Sequence, residues 1–197
     1  QEKIKLLVDK YNGLTDVERN KYNEEQTKNV FIRPLFEALG WNFTDANEVR
    51  FEGNIGGKRA DYEFRLNSIT KFYVEAKAIK VDLDLEQHAR QAINYAWNTG
   101  VDWAVLTDFE GIKVYNAQSE SKSLLDRLVF ELPFSDYVNK FEKLNLLSKE
   151  SFLNNKLENY AIDIGKKLKK MTVNEKLFID LKIAREEITK TFGLWNP

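Results

Sequence analysis

The feature that most constrains the fold is a change of hydrophobic period along the middle of the chain. Three short runs are rich in aromatic and β-branched side chains, as is typical of β-strands, and occupy residues 48–51, 60–66 and 72–78. Turn residues separate these runs: Gly53, Gly56, Gly57 and Asn67–Ser68. Residues 84–98 then have apolar side chains at helical spacing, and residues 103–107 and 112–115 return to the strand pattern. A helix between the third and fourth strands predicts a crossover connection and therefore a mixed sheet with helices packed on it.

Helical patterns flank the strands on both sides. Thr15 and Glu18 have the spacing of a capping box, and the apolar residues that follow predict a helical segment that ends at Gly40, with Pro34 kinking it or starting a second helix. Beyond Pro133 the pattern predicts helices at residues 135–146, 149–170 and 173–191. The predicted fold class is α/β, with a central mixed sheet, flanking helices and a C-terminal helical extension.

The composition restricts the chemistry that this fold could perform. The chain has no cysteine and one histidine, His88, which excludes disulfides and thiolate metal sites and leaves little room for histidine-based triads. Any catalysis must depend on carboxylates, lysines and hydroxyls. The formal net charge of −1 neither supports nor excludes a nucleic-acid partner. The apolar runs are too short to span a bilayer, so we expect a cytoplasmic protein with no membrane partner.

Three charged residues in the predicted meander form a pattern that a core does not require. Glu75 and Lys77 lie two apart on the third strand and must share a face, whereas their neighbours point to the opposite face: Phe72, Val74, Ala76 and Ala78. If the second and third strands pair antiparallel, Asp61 can approach Glu75. Two carboxylates suit Mg²⁺, which also keeps positions for water and phosphate oxygens, and a lysine beside them could orient or deprotonate a nucleophile. Taken alone, however, such Glu-x-Lys pairs are common on exposed strands.

The helix after the meander adds two polar side chains. Gln91 and Tyr95 are four residues apart and therefore lie on one helix face, from which they could contact phosphate or hold the metal ligands. Both residue types also occur on ordinary amphipathic helices as packing and solvent contacts. His88 is expected to be an exposed helix residue without a metal-binding role.

Together these residues resemble a known nuclease family. The succession of Asp61, Glu75-Ala76-Lys77 and Gln91-x-x-x-Tyr95 is similar to the PD-(D/E)xK nuclease superfamily, in the branch whose helix has a Q-x-x-x-Y motif. Further segments resemble restriction-enzyme nuclease domains, especially the N-terminal domains of type IIG enzymes and of type I restriction subunits: Phe31–Trp41, Arg59–Tyr62 and Asn98–Asp108. The resemblance covers roughly residues 20–116.

The resemblance implies a restriction-endonuclease-like core and Mg²⁺-dependent hydrolysis of a DNA phosphodiester, with Mn²⁺ as a substitute. Asp61, Glu75 and the Ala76 carbonyl would hold the metal, Lys77 would position or activate water, and Gln91 and Tyr95 would stabilise the site or contact phosphate. In such families a glutamate of the first helix often joins the site, directly or through water; Glu25 is the candidate here and Glu24 its rival. Ala60 replaces the proline in the family's name, a departure that leaves the ligand Asp61 intact.

The resemblance also suggests a domain organisation. Residues 1–132 would form the nuclease domain and residues 133–197 a helical extension, of which Val173–Trp195 is similar to the start of the type IIG connector. We find no methyltransferase motif or P-loop, so methyltransferase and target-recognition domains are expected to be missing from this chain. The expected partner is double-stranded DNA, with transient dimerisation on it.

Two other functions stay open at this point. A module could keep the nuclease fold and bind DNA or protein without turnover, although the intact Asp61, Glu75 and Lys77 argue against that. A purely structural protein could assemble through the helices after residue 135, which leaves the charged residues of the meander unexplained.

Overall fold

The computed structural model describes residues 1–51, 60–168 and 173–193. The predicted turns at Gly53, Gly56 and Gly57, the Arg59 of the family-like motif, and Trp195 lie outside these ranges. The chain divides into two compact units, residues 1–167 and 168–197. The second unit contains one long helix, and all the predicted site residues belong to the first.

The described part of the first unit is built on a six-stranded sheet whose strands follow one another in sequence order. The strands are β1 (Val49–Phe51), β2 (Tyr62–Leu66), β3 (Ile69–Ala76), β4 (Trp103–Thr107), β5 (Gly111–Asn116) and β6 (Leu128–Pro133). Strands β3 and β4 pair parallel and every other neighbouring pair is antiparallel, so the sheet is mixed, as predicted.

Helices account for most of the remaining structure. They are α1 (Glu2–Asn12), α2 (Asp16–Arg19), α3 (Glu24–Thr27), α4 (Arg33–Ala38), α5 (Glu86–Thr99), α6 (Leu124–Arg127), α7 (Phe141–Leu144), α8 (Lys149–Leu153), α9 (Lys156–Asp163) and α10 (Val173–Gly193). A π-helical turn, Lys28–Ile32, joins α3 to α4, and 3₁₀ turns at Phe134–Asp136 and Asn145–Leu147 flank α7. In the described ranges, no helix combines the length and apolar composition needed to cross a bilayer.

Two predicted helices are shorter than expected. The predicted helix at 149–170 is broken into α8 and α9 because Asn155 adopts a left-handed conformation, with φ of 53°, between them. Asparagine tolerates this conformation better than most residues, so it ends one helix before the next begins. The predicted helix at 135–146 retains only α7 between its two 3₁₀ turns. Pro34 lies in the first turn of α4, directly after the π-helical turn, so a new helical element starts beside it, which is one of the two alternatives that the sequence predicts.

Each face of the sheet has its own apolar core. Phe64, Phe72 and Val74 point to one face, where they pack against side chains of α1, α4 and the helices after residue 133. On the other face, Tyr73 and Leu106 pack against α5. The α/β class and the mixed sheet flanked by helices are therefore confirmed.

The helices after residue 133 contribute to the first of these cores. Tyr137, Leu144, Leu147, Phe152 and Leu157 are buried in the same cluster as the strands. As packed units, the chain divides after Lys167. The functional boundary between residues 132 and 133 stays a prediction. In the second unit, α10 matches the predicted last helix and has exposed leucines, Leu177 and Leu181.

Gly100 ends α5 and provides a direct test of backbone requirements. Its φ of 73° is left-handed, while nothing lies within 4 Å of where a Cβ would be, so the cost of a side chain is conformational rather than steric. We expect Gly100→Ala to lower the free energy of unfolding by about 1 to 2 kcal/mol, measured by urea denaturation. Gly13→Ala is the control: its φ is −71°, and a stabilisation of about 0.4 to 1 kcal/mol is expected. Equal effects of the two changes would contradict this explanation.

Candidate functional site

The site residues lie where β3 ends. Alternation along the strand directs Phe72, Val74 and Ala76 into one core and Glu75 to the opposite side. Only 5% of Glu75 is exposed, which is unusual for a carboxylate on a strand. Lys77 follows the strand, and its N–H donates to the Thr107 carbonyl at 2.8 Å. The Lys77 ammonium lies 2.5 Å from Glu75 Oε1, so the two side chains do share a face.

Asp61 reaches this end of the sheet from the bend before β2. Strands β2 and β3 pair antiparallel, with Tyr62 opposite Val74. This register places Asp61 beside the end of β3, where its Oδ2 accepts the Ala76 N–H at 2.7 Å. The structure therefore brings Asp61, Glu75 and Lys77 to one end of the β2–β3 pair.

Lys28 is a site residue that the sequence patterns did not identify. Its ammonium forms an ion pair with Asp61 and lies 2.8 Å from Glu24 Oε1, and the side chain is only 10% exposed. A π-helical turn begins at Lys28. The residue before it, Thr27, links this turn to the segment after β3, because Thr27 Oγ1 accepts the Ile79 N–H at 3.2 Å. Such turns within helices are frequent at functional sites. The i, i+4 spacing of Glu24 and Lys28 is visible in the sequence, but the contact with Asp61 is not.

The two rival glutamates of α3 have different surroundings. Glu24 contacts the Lys28 ammonium and therefore borders the Asp61 carboxylate. Glu25 Oε1 instead accepts a hydrogen bond from Asn29 Nδ2 at 2.9 Å. Of the two, Glu24 is the one that the structure connects to the Asp61 ion pair.

The electrostatics of the site reflect burial and crowded charges. Burial raises the pKa of Glu75 to about 7; the hydrogen bond from Lys77 opposes this shift, and the neighbouring Asp61 charge adds to it. Burial lowers the pKa of Lys28, but its bonds to Asp61 and Glu24 outweigh that effect and raise it, so Lys28 stays charged. When all three carboxylates are ionised, they outnumber the two ammonium groups, and the cluster has a net charge of −1.

Helix α5 borders the site through its polar side chains. Gln91 Oε1 accepts from the Lys77 ammonium at 3.4 Å, a long hydrogen bond. Tyr95 is 9% exposed and packs edge-on against Tyr73, with ring centres 4.6 Å apart, and burial raises its pKa. Gln91 thus contacts Lys77, whereas the aromatic contact of Tyr95 is with Tyr73 of the strand.

His88 is half-buried, not exposed as expected from the sequence. Burial lowers the pKa of its imidazole, and the Lys77 charge lowers it further. The described residues include no group of three or more histidine, aspartate or glutamate side chains arranged to hold a metal ion.

The donor set of the site nevertheless suits Mg²⁺. This ion uses one or two carboxylates and keeps several water ligands, so it does not require three acidic side chains. Asp61, Glu75 and the Ala76 carbonyl are hard oxygen donors of the kind that it prefers. The excess negative charge and the mutual repulsion of Asp61 and Glu75 would both be relieved by a dication.

The chain shows clear similarity to restriction enzymes. No protein-family model matches it. It is 30% identical over 194 residues to the type II restriction enzyme and methyltransferase RM.Eco57I of Escherichia coli, an alignment that covers 89% of this chain and 19% of that protein. The chain thus spans about a fifth of the length of this relative.

Two solved structures were also matched. The type IIG restriction endonuclease BpuSI has a TM-score of 0.43 and 18% identity, over 78% of this chain and 19% of its own. A fragment assigned as an HsdR subunit of a type I restriction enzyme from Vibrio vulnificus YJ016 has a TM-score of 0.38 and 26% identity, over 60% of this chain and 25% of its own. On the sequence similarity, the chain is a homologue of one segment of a type II restriction enzyme and methyltransferase.

Proposed function

We propose that the chain is the cleavage domain of a restriction enzyme and hydrolyses DNA phosphodiesters with Mg²⁺, as a PD-(D/E)xK endonuclease. The observation that carries this proposal is the meeting of the buried Glu75 and the part-buried Asp61 with Lys77 at the end of β3, in a homologue of a restriction enzyme. Withdrawing two neighbouring carboxylates from solvent costs stability, so their presence together favours a function.

The roles of the residues follow from their contacts. Asp61, Glu75 and the Ala76 carbonyl would hold Mg²⁺, which supplies charge stabilisation at the phosphate and a more acidic water. Lys77 donates protons from a position beside Glu75, where it can orient a water nucleophile and stabilise charge on the phosphate. Gln91 restrains Lys77 by accepting its hydrogen bond.

The supporting residues have less direct roles in this proposal. Glu24 holds Lys28 against Asp61, and this favours Glu24 over Glu25 as the helix glutamate that acts on the site. Tyr95 supports the strand through Tyr73. Double-stranded DNA is the proposed substrate. Mn²⁺ is the proposed substitute metal.

The Escherichia coli relative is much longer than this chain, which indicates which domains could accompany the cleavage domain. The relative is named as both a restriction enzyme and a methyltransferase, and this chain matches only 19% of its length. We infer that methyltransferase and target-recognition domains accompany the cleavage domain in the complete enzyme, which acts in the cytoplasm. Because a double-strand break needs two cuts, transient pairing of two cleavage domains on DNA is part of the proposal.

Nicking of supercoiled plasmid by the 197-residue chain tests the activity. Cleavage is expected with Mg²⁺ or Mn²⁺ and is expected to be absent with Ca²⁺ or EDTA. A mock preparation without the chain measures any contaminating nuclease, and Asp61→Asn, which keeps the side-chain volume, is expected to cleave no faster than that background. If Asp61→Asn cleaves as fast as the wild type while circular dichroism shows both folded, the proposed site is wrong.

One observation favours the alternative of a nuclease-fold module without turnover. Lys28 already neutralises Asp61, and a lysine in this position competes with a metal for the carboxylate. Calorimetric titration with Mn²⁺ separates the alternatives. Binding that Asp61→Asn abolishes supports a competent metal site, whereas a wild-type chain that binds no Mn²⁺ supports the module without turnover.

A further inference from the structure

A basic pocket lies beside α5, between this helix and the segment that leads into α6. Its volume is about 370 Å³, within the range of small-molecule sites. Arg90, Lys122 and Arg127 line it together with Trp97, and no carboxylate is found among its lining residues, all of which the structure describes. Three cations and an indole in one concave surface suit an anionic ligand with an aromatic part.

Arg127 is fixed in place before any ligand arrives. Its Nε donates to the Ser121 carbonyl at 2.6 Å and its Nη1 to the Ala117 carbonyl at 2.9 Å. Its guanidinium carbon lies 5.3 Å from the centre of the Trp97 ring. Arg127 Nη2 has no hydrogen-bond partner among the described residues. An arginine held in this way loses little conformational entropy when it binds an anion.

Arg90 is the second fixed cation. Its Nε and Nη2 donate to Glu86 at 3.0 and 2.8 Å, while 53% of the side chain remains exposed. Burial lowers the pKa of Arg127, and the charge of Arg90 lowers it further, so the two guanidinium groups repel each other. An anion bound between them would relieve this repulsion.

Trp97 adds an aromatic surface to the cations. It is 43% exposed, although indole is among the side chains that gain most from burial. Arginine side chains bind phosphate, and an exposed indole stacks on a planar base, so a ligand that contains both groups matches this pocket. We propose that this pocket binds a nucleotide unit, with its phosphate on Arg90, Lys122 and Arg127 and its base on Trp97.

The pocket is distinct from the carboxylate site. Arg90 and Gln91 are consecutive on α5 and therefore project about 100° apart around the helix axis. Gln91 contacts Lys77, whereas Arg90 contributes to the pocket on the other flank. A nucleotide unit could come from an unpaired DNA strand or from a free nucleotide, and binding at this pocket requires neither the metal nor cleavage.

Equilibrium binding in EDTA tests the pocket without cleavage. The probes are thymidine 5′-monophosphate and fluorescein-labelled octathymidylate, added to the complete 197-residue chain and followed by calorimetry and by fluorescence anisotropy. Arg90→Gln and Trp97→Leu are each expected to weaken binding about tenfold, because each removes one contact of the ligand. Lys140→Gln is the matched control, since Lys140 is an exposed lysine paired with Asp136 outside the pocket. Thermal melting verifies that each variant is folded.

The outcomes also identify the source of the ligand. Binding of octathymidylate alone, weakened in both pocket variants, assigns the pocket to an unpaired strand; binding of the monophosphate, weakened in the same way, assigns it to a free nucleotide. The proposal is overturned if neither probe binds at millimolar concentration, or if both pocket variants bind as tightly as Lys140→Gln. These results do not depend on whether the plasmid is cleaved, so the pocket and the proposed nuclease activity can fail separately.

Discussion

Replacement of Lys77 by methionine is expected to lower plasmid cleavage by about 10²- to 10⁴-fold, the range typical of a positioned proton donor or charge stabiliser. Methionine keeps much of the apolar stem of lysine and removes only the ammonium. The ammonium lies 2.5 Å from Glu75 and 3.4 Å from Gln91, so it is held at the site rather than free in solvent. Initial rates of supercoiled plasmid nicking measure the effect.

Loss of Lys77 also changes the titration of Glu75, and pH separates the two consequences. The pKa of Glu75 is about 7 with Lys77 present, and removing this cation must raise it further. At neutral pH Lys77→Met should therefore bind Mn²⁺ poorly, because Glu75 is protonated. At about pH 9 the carboxylate ionises and Mn²⁺ binding should return.

The cleavage rate at high pH decides what Lys77 does. If Lys77 acts on the reaction, cleavage by Lys77→Met stays low at the pH where its Mn²⁺ binding has returned. Full recovery of cleavage would contradict that role and leave Lys77 only the task of keeping Glu75 ionised. Lys80→Met is the control, because Lys80 follows the same strand but lies near Asp16 and Glu110, and it is expected to cleave as the wild type does.

The sequence predicts the centre of the fold well because the patterns there are local. The meander of β1, β2 and β3 and the crossover through α5 follow from hydrophobic period and turn residues, each within a short window. Strand β6 was not predicted. Its buried Val129, Phe130 and Leu132 lie just before Pro133, and their pairing with β5 is what makes the segment a strand. Helix α1 was not predicted either. Its buried Ile4 and Tyr11 pack in the same core as the strands, and this distant packing is not visible in the local sequence.

In the site, too, the sequence predicts the arrangements that follow from a local pattern and misses those that depend on distant contacts. The shared face of Glu75 and Lys77 follows from the period of a strand, and the approach of Asp61 follows from a short hairpin. The choice between Glu24 and Glu25 depends on the rotation of α3, which a sequence of four helical residues does not define. Lys28 contacts Asp61 across 33 residues of chain, through a π-helical turn for which the sequence offers no pattern.

Lys28 is therefore the residue whose replacement tests the structure most directly. Its side chain is 10% exposed and that of its partner Asp61 is 14% exposed, so the ion pair is largely removed from solvent. Loss of one partner of a buried pair leaves the other charge uncompensated. Lys28→Met is expected to lower the free energy of unfolding by about 3 to 5 kcal/mol, measured by urea denaturation without divalent metal.

Two further variants isolate the ion pair from the packing of the side chain. Lys5→Met removes an exposed lysine that lies 2.5 Å from Asp9, and a loss below about 0.5 kcal/mol is expected because surface pairs contribute little. In Lys28→Met/Asp61→Asn the uncompensated carboxylate is gone, so most of the lost stability should return. A double variant as unstable as Lys28→Met would show that Lys28 stabilises the fold through its packing and not through Asp61.

The same variant reports on competition between Lys28 and a metal. A ligand that binds only the native state raises the melting temperature, and the rise is larger for tighter binding at the same ligand concentration. An Asp61 carboxylate without its lysine should bind a dication more tightly. Addition of Mn²⁺ is therefore expected to raise the melting temperature of Lys28→Met more than that of the wild type, and to leave Lys28→Met/Asp61→Asn nearly unchanged. An equal rise in all three proteins would mean that Mn²⁺ binds elsewhere, and Lys28 would then be a structural counter-ion of Asp61 rather than the group that a metal must displace.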